Sequence, residues 1–450
     1  MKIKLYRSST VGLHFNNFKI LTDPWLTDGE YYGSWVHFPP FDIEKNLEEL
    51  NSYDAIYISH IHPDHCSEKT LSYFHKKMPI YIHKFHSPFL KFKIEKLGFK
   101  VTELENGIKH QITKDVSISI YAADNCNPKL CYKFTGCANL NVKNQSQQID
   151  TLAVIADKKN VLINLNDCPF DLAKHPISDL KKNYPNIDVL LTGYGGAGPY
   201  PQCFDNLNKK EKLIEANKKK INFLKQAIDF IKIIKPKFYL PYAGTYTLSG
   251  HLSKKQFLRG VPTLDETYEY IHNNFCSHLK NKKINPIKIG PDQTFDTKNY
   301  LKNKPYESIN LEKQKKYIKN ILKFKKLDYE KDKFPKKKEI FDLAKNAYQN
   351  FLDKKILYNS NFDFDILIDC IRYQLLLPKD NSEITIKERK YIPIGKFIKL
   401  KLDTRLLYKI LKGPKFAHWN NAEIGSHIRY YRKPNEFNRN LHLSLCYFHN

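Results

Sequence analysis

Four side chains able to bind a metal, His60, His62, Asp64 and His65, fall within six consecutive positions of "YDAIYISHIHPDHCSEKTL", residues 53–71. His60 and His62 sit two apart at the end of an apolar run. Alternate residues of an extended backbone share one side, so both imidazoles can reach one ion. Pro63 then redirects the chain, which lets Asp64 and His65 face a second ion. Two ions held in this way polarise an oxygen, lower the pKa of bound water or, as iron, bind dioxygen. A lone histidine is ordinarily a surface or satisfied core residue, whereas this density directly after an apolar strand is the pattern of a metal site.

The elements that would position such a cluster are short apolar runs broken by turns. "KIKLYRSS", "VGLHFNNFKILTDPW" and "DAIYISH" read as strands, and "SEKTLSYFHKKM" as a helix with Ser67 at its N-cap. "PIYIHKF", "KDVSISIYAAD", "TLAVIADKKNVLINLND", "IDVLLTGY" and "PKFYLPYAG" read as further strands. A long helix over "EKLIEANKKKINFLKQAIDFIKII" places Ile221, Leu224, Ile228 and Ile231 on one stripe. The sum is a layered α/β domain over residues 1–297, followed by a mostly helical region over 298–450 that contributes to the substrate pocket.

Composition bounds the setting. A hydrophobic fraction of 41% suits a globular chain and excludes wholesale disorder. No stretch approaches a membrane span and the start lacks the apolar core of a secretory signal, so a cytoplasmic, membrane-free protein is expected. Nine cysteines without CxxC pairs point to reduced thiols. Cys276-Ser-His278 and Cys446-Tyr-Phe-His449 spell the halves of a Rieske signature, but their unlike settings make this a coincidence. The net charge of +27 is mostly Lys spread along helical segments, a solvated face rather than a nucleic-acid groove, and it suits a small anionic substrate.

The His-x-His-x-Asp-His motif resembles the signature of the metallo-β-lactamase superfamily, which implies an αββα sandwich with metals at the strand ends. The resemblance makes Asp167, at the end of "VLINLND", a bridging ligand; a turn aspartate or helix cap is the competing reading. A histidine expected after "VSISIYAAD" is replaced by "ADNCNP", with Asp124 and Asn127, and Ala243 stands where a last histidine often does. His251 is the substitute there, with a plain loop histidine as the alternative.

Together with "DPWLTDGEYYGSWVHFPP", "LTGYGGAGPYP" and "FYLPYAGTYTLSGH", the motif resembles the catalytic portion of the CMP-N-acetylneuraminate hydroxylase family over about residues 20–297. The resemblance implies His60, His62, Asp64, His65 and Asp167 as ligands, with Asp124 or Asn127 nearby and His251 as an addition. It further implies two divalent ions, iron ahead of zinc or manganese, and a sugar-nucleotide substrate. That family carries an N-terminal Rieske domain and this chain begins at the first strand, so the expectation is either that a separate donor protein supplies electrons or that this branch does different chemistry.

Three further stretches are candidates for substrate contact. Tyr194 and Gly196 lie in "TGYGGAGPYP", where glycines let backbone N–H groups approach a phosphate or sugar; Tyr242 lies in the "PYAG" block. Trp25, Tyr31, Tyr32 and Trp35 follow a strand end and could stack on a base, although core packing is the commoner fate of Trp. His418, Asn420, Asn421, Glu423, His427, Arg429 and Arg432 crowd "HWNNAEIGSHIRYYRKP", and such arginines suit phosphate or carboxylate. Two functions follow. One is a di-iron oxygenase acting on a sugar or nucleotide-sugar. The alternative is a binuclear hydrolase of a phosphoester, lactone or amide, with Asp64 or Asp167 orienting a water.

Overall fold

The computed structural model describes residues 1–123, 149–278, 284–357 and 363–450. Two sheets face each other. The first has eight strands in the order Leu301–Lys302, Gln293–Asp296, Lys2–Arg7, Thr10–His14, Lys19–Thr22, Ala55–Tyr57, Ile80–His83 and Val101–Leu104. The second has seven, in the order Asn285–Pro286, Phe238–Tyr242, Val189–Gly193, Val161–Asn164, Thr151–Ala156, Ser117–Ala122 and His110–Gln111. Central strands such as "TLAVIA" are buried at every position, as strands covered on both faces must be.

Between the sheets lies a core that includes Ile3, Val11, Leu13, Ile20 and Ala55 from one side and Ile118, Ile155, Leu162, Leu191 and Leu240 from the other. The outer face of the second sheet packs on helices Phe170–Asn183, Lys209–Ile234 and Leu264–Asn274; the outer face of the first is covered by shorter helices that include Phe89–Glu95. This is the expected four-layer αββα order. The expected stripe of the long helix is buried at Leu224, Ile228 and Ile231. Ser67 caps the helix after the histidine cluster by accepting the Thr70 N–H at 3.0 Å.

Topology brings the site together. Strands Lys19–Thr22 and Ala55–Tyr57 run parallel with Thr22 beside Tyr57, so the segments leaving them, with Asp23 and His60, emerge side by side. On the facing sheet, Thr151–Ala156 is antiparallel to Val161–Asn164 with Ala153 opposite Asn164. The start of one strand and the end of the other therefore meet, bringing Asp150 and Asp167 to the same end of the sandwich.

The first sheet extends to Lys302. Beyond it, the region expected to be mostly helical also holds a five-stranded sheet that was not expected, in the order Thr385–Lys387, Gln374–Leu377, Asp365–Asp369, Phe397–Lys401 and Arg429–Lys433. Helices Lys337–Leu357, Thr404–Leu411, Trp419–Ile424 and Arg439–Leu445 accompany it. These strands are short, and Ile366–Ile368 and Leu375 are buried without polar alternation, so the run of neighbouring lysines masks their period. Their core is continuous with Trp25, Tyr31, Trp35, Phe204 and Tyr246 of the first region. Among the described residues, no helix is long and apolar enough to cross a membrane.

Candidate metal centre

Each of the three clustered imidazoles has one nitrogen fixed by the protein and the other turned inward. Asp23 Oδ2 lies 3.0 Å from His65 Nδ1 and accepts its proton. Ser59 Oγ donates to the same carboxylate at 2.8 Å, so it accepts from His60 Nδ1 at 2.9 Å. His62 Nε2 faces Asn420 Oδ1 at 3.3 Å, while its Nδ1 lies 3.0 Å from His60 Nε2. Nε2 of His60 and His65 and Nδ1 of His62 are thereby left as inward-facing donor atoms. A ligating histidine ordinarily has its outer nitrogen held in this way, because the outer bond fixes tautomer and ring orientation.

Three carboxylates complete the cluster. Tyr31 donates its hydroxyl proton to Asp64 Oδ1, and Asp64 Oδ2 lies 3.7 Å from His65 Nε2. Asp167 Oδ1 lies 3.4 Å from the same nitrogen, and Asp150 Oδ1 lies 3.8 Å from His60 Nε2. The donor atoms form two overlapping trios, His60 with His62 and Asp150, and His60 with His65 and Asp167, each with all atoms within 4.8 Å of one another. Asp167 is placed by its neighbour. Asn166 Nδ2 donates to Tyr57 Oη and to the Thr151 carbonyl at 3.2 and 3.1 Å, and Tyr242 Oη accepts the Asn166 N–H at 3.0 Å.

The backbone around the cluster is strained. Asp23, Tyr31, Tyr32, Asn166 and Ala243 all have positive φ, between 44° and 60°. Such conformations cost roughly 1–3 kcal/mol each and concentrate where a site over-determines geometry. The segments that meet here, around residues 23, 31, 60–65 and 166, are the part of the sandwich where propensity yields to placement.

The electrostatics call for a cation. Burial, with Asp167 as the next contributor, pushes the Asp150 carboxyl up to about 8. Desolvation by the surrounding groups would also raise Asp167, although its side chain is part-exposed, but the charge of His65 outweighs it and holds the group below the usual carboxylate range. Burial would lower His65, yet Asp167, Asp64 and Asp23 together hold it well above the ordinary histidine value. His60 is driven far down by burial and by its two histidine neighbours, which keeps it neutral. His65 Nε2 is nevertheless buried without a hydrogen-bond partner among the described residues. An orphaned imidazole nitrogen between carboxylates, beside a carboxyl forced toward protonation, fits a divalent ion, which replaces the protons these groups otherwise hold.

Residues 2–167 match the family model described as "Beta-lactamase superfamily domain". The chain is 28% identical over 256 residues to cytidine monophosphate-N-acetylneuraminic acid hydroxylase of Xenopus laevis, covering 54% of this chain and 38% of that protein. It is 26% identical over 242 residues to the protein of the same name from Danio rerio, covering 51% and 35%. The matched segment thus spans less than two fifths of either relative's length. An isothiocyanate hydrolase from Delia radicum gut bacteria aligns with a TM-score of 0.42 at 15% identity, covering 66% of this chain and 99% of that one. The fold is the metallo-β-lactamase-type αββα sandwich, and the cluster sits where strands of the superfamily domain end.

The structure brings together His60, His62, Asp64, His65 and Asp167. Asp124 and Asn127 lie outside the described residues. Asp150, which sequence reasoning missed, stands in the cluster instead; its signal was an aspartate immediately before the apolar strand "TLAVIA". His251 is not part of the cluster. It is exposed in the 3₁₀ segment Gly250–Leu258, with Nδ1 3.2 Å from Glu330 Oε1.

Most of the residues expected to touch substrate are packing or positioning residues. Trp25 and Trp35 are 0% and 2% exposed, and Trp35 stacks on Tyr246 at 3.5 Å. Tyr242 is 1% exposed and anchors the Asn166 loop, and Tyr194 is 2% exposed and fills the space a Gly244 side chain would need. A Cβ on Gly196 would lie 1.9 Å from Phe223, so that glycine permits packing on the long helix rather than approach of a ligand. Tyr32 Oη accepts the His418 N–H at 2.7 Å, and His418 caps the helix Trp419–Ile424. Asn420 reaches the centre through His62, Asn421 is half-buried on the same helix, and Arg429 is paired with Asp205 at 2.8 Å. His427 Nε2 donates to the Tyr31 carbonyl at 2.8 Å and so supports the tyrosine that holds Asp64.

Proposed function

We propose that the chain is a binuclear metal-dependent oxygenase that hydroxylates a sugar or nucleotide-sugar, with iron as its metal and electrons from a separate donor protein. The observation that carries this reading is the convergence of two His/Asp trios on shared His60, with every imidazole fixed from behind. Three imidazoles, three carboxylates and no thiolate suit iron, manganese or zinc. The choice of hydroxylation draws on the 28% identity to a hydroxylase across 256 residues. The net charge of +27 favours a small anionic substrate.

Iron held there supplies Lewis acidity toward a substrate oxygen and the capacity to reduce dioxygen. The chain's own groups do the rest. His60, His62 and Asp150 would hold one ion, taking the single lone pair of His60 Nε2; His65, Asp167 and Asp64 would hold the other. Asp23 keeps the His65 proton on Nδ1, so Nε2 stays open as a donor. Tyr31, Trp25 and Trp35 close one side with apolar surface and exclude water there. The helix Trp419–Ile424 brings the second region over His62 through Asn420.

A hydrolase is the second reading, favoured by the 38% exposure of the Asp167 side chain, which leaves a carboxylate open to orient a water. The two part in one experiment. Protein purified without oxygen is assayed for iron and zinc, then for oxygen uptake with a CMP-sugar and a chemical reductant. About two irons per chain and substrate-dependent oxygen uptake are expected; zinc, phosphoester or lactone hydrolysis and no oxygen uptake would overturn the oxygenase.

A further inference from the structure

Arg259 is a buried cation that no carboxylate among the described residues neutralises. It is 6% exposed, and no carboxylate among the described residues lies within ion-pairing distance of it. Its Nε donates to the Gln256 carbonyl at 2.9 Å, while Nη1 is buried with no hydrogen-bond partner. The guanidinium lies 4.0 Å over the Tyr246 ring, which attracts the charge but leaves N–H donors unused. A buried guanidinium without a counter-charge is costly, and chains keep such a group where a ligand supplies the charge.

The surroundings are built as a receptor. Arg259 lines a cavity of about 400 Å³ together with Asn217, Lys220, Thr247, Gln314 and Lys315. Its acidic wall residue, Glu266, is already committed to Lys220 at 2.7 Å and to the cap of its own helix. Gly260 follows with φ of 69°, and a Cβ there would lie 2.4 Å from the Ala216 carbonyl. That close approach to the long helix seats Arg259 inward. The cavity and the metal centre lie on opposite sides of an aromatic wall in which Tyr246 stacks on Trp35, and Trp35 lies 4.5 Å from Tyr31.

We propose that this cavity is a second ligand site, in which Arg259 binds the phosphate or carboxylate head of a small organic anion. A planar fork of N–H donors matches either head, and hydroxyl and amide groups of Thr247, Asn217 and Gln314 serve the remaining oxygens. The site does not depend on what the metal centre catalyses.

The test is calorimetric titration of the full-length chain with inorganic phosphate and, separately, acetate, before and after chelation of metal. One anion per chain should bind at millimolar concentration, and the preferred anion names the head group. Binding should survive chelation, fall at least about tenfold in Arg259→Gln, and fall several-fold in Asn217→Asp, which puts a negative charge at the exposed rim. No binding of either anion, loss of binding on chelation alone, or equal affinity in wild type and Arg259→Gln would overturn the site. Should Arg259→Gln fail to fold, the Asn217→Asp variant decides, and unchanged affinity there overturns it.

Discussion

Two buried polar centres of opposite sign lie on either side of one aromatic wall. The His60–Asp167 cluster gathers three carboxylates around imidazoles and is short of positive charge. The Arg259 cavity holds a guanidinium and is short of negative charge. Between them stand Tyr31, Trp35 and Tyr246. The first centre is over-determined: each histidine has a partner behind it and the backbone is bent into positive φ to place it. The second is held by a single carbonyl and a ring face. The difference teaches that a metal centre must be pre-organised to fractions of an ångström, whereas one charged side chain in a cavity can wait for its ligand.

The contrast breaks most completely at the cluster. His60→Ala removes the imidazole where the two trios overlap, so metal content should fall by at least half and activity to near zero; elemental analysis and turnover check this. The wall comes next. Trp35→Ala should cost about 3–5 kcal/mol of stability, read by denaturant unfolding, because it empties a fully packed site between the two centres.

Tyr31→Phe keeps the ring and removes only the hydroxyl that Asp64 accepts. Metal affinity should drop roughly 10–100-fold with the fold intact, measured by competition with a chelator. pH acts separately and on stability alone. Burial lowers His37 and His427 to about 3, so the folded chain keeps both neutral where the unfolded chain protonates them. Their contribution is fully present above the unfolded histidine value of about 6.5 and is lost as pH falls toward 3, at about 1.4 kcal/mol per unit for each. Unfolding of metal-free protein between pH 7 and 4 reads it, and His427→Gln should flatten the slope. Least of all, Arg429→Ala breaks a surface pair with Asp205 and should change stability by no more than about 1 kcal/mol.

How much of this was legible in the sequence differs between the same two centres. The histidine cluster was readable because its spacing falls on a strand end, where alternation fixes which side chains converge. Asp150 was not, since it stands before the apolar run rather than after one, and only the antiparallel return of the next strand shows that this start lies at the same end as Asp167. Arg259 offered no pattern at all: one arginine in a chain with 74 basic residues has no spacing to read. The sandwich strands announced themselves by continuous burial, while the five-stranded sheet past residue 363 was hidden by its lysines, which lie on exposed or half-buried positions such as Lys399 and Lys401. Trp25 and Trp35 followed the commoner fate of their kind, core packing.

The central claim, two ions held side by side with His60 and Asp150 serving one of them, is tested most directly by titrating metal-free protein with ferrous iron and counting bound ions. Wild type should bind about two per chain and Asp150→Ala about one, since Asp150 serves only one trio. A single ion in wild type, or two retained without Asp150, would contradict the arrangement.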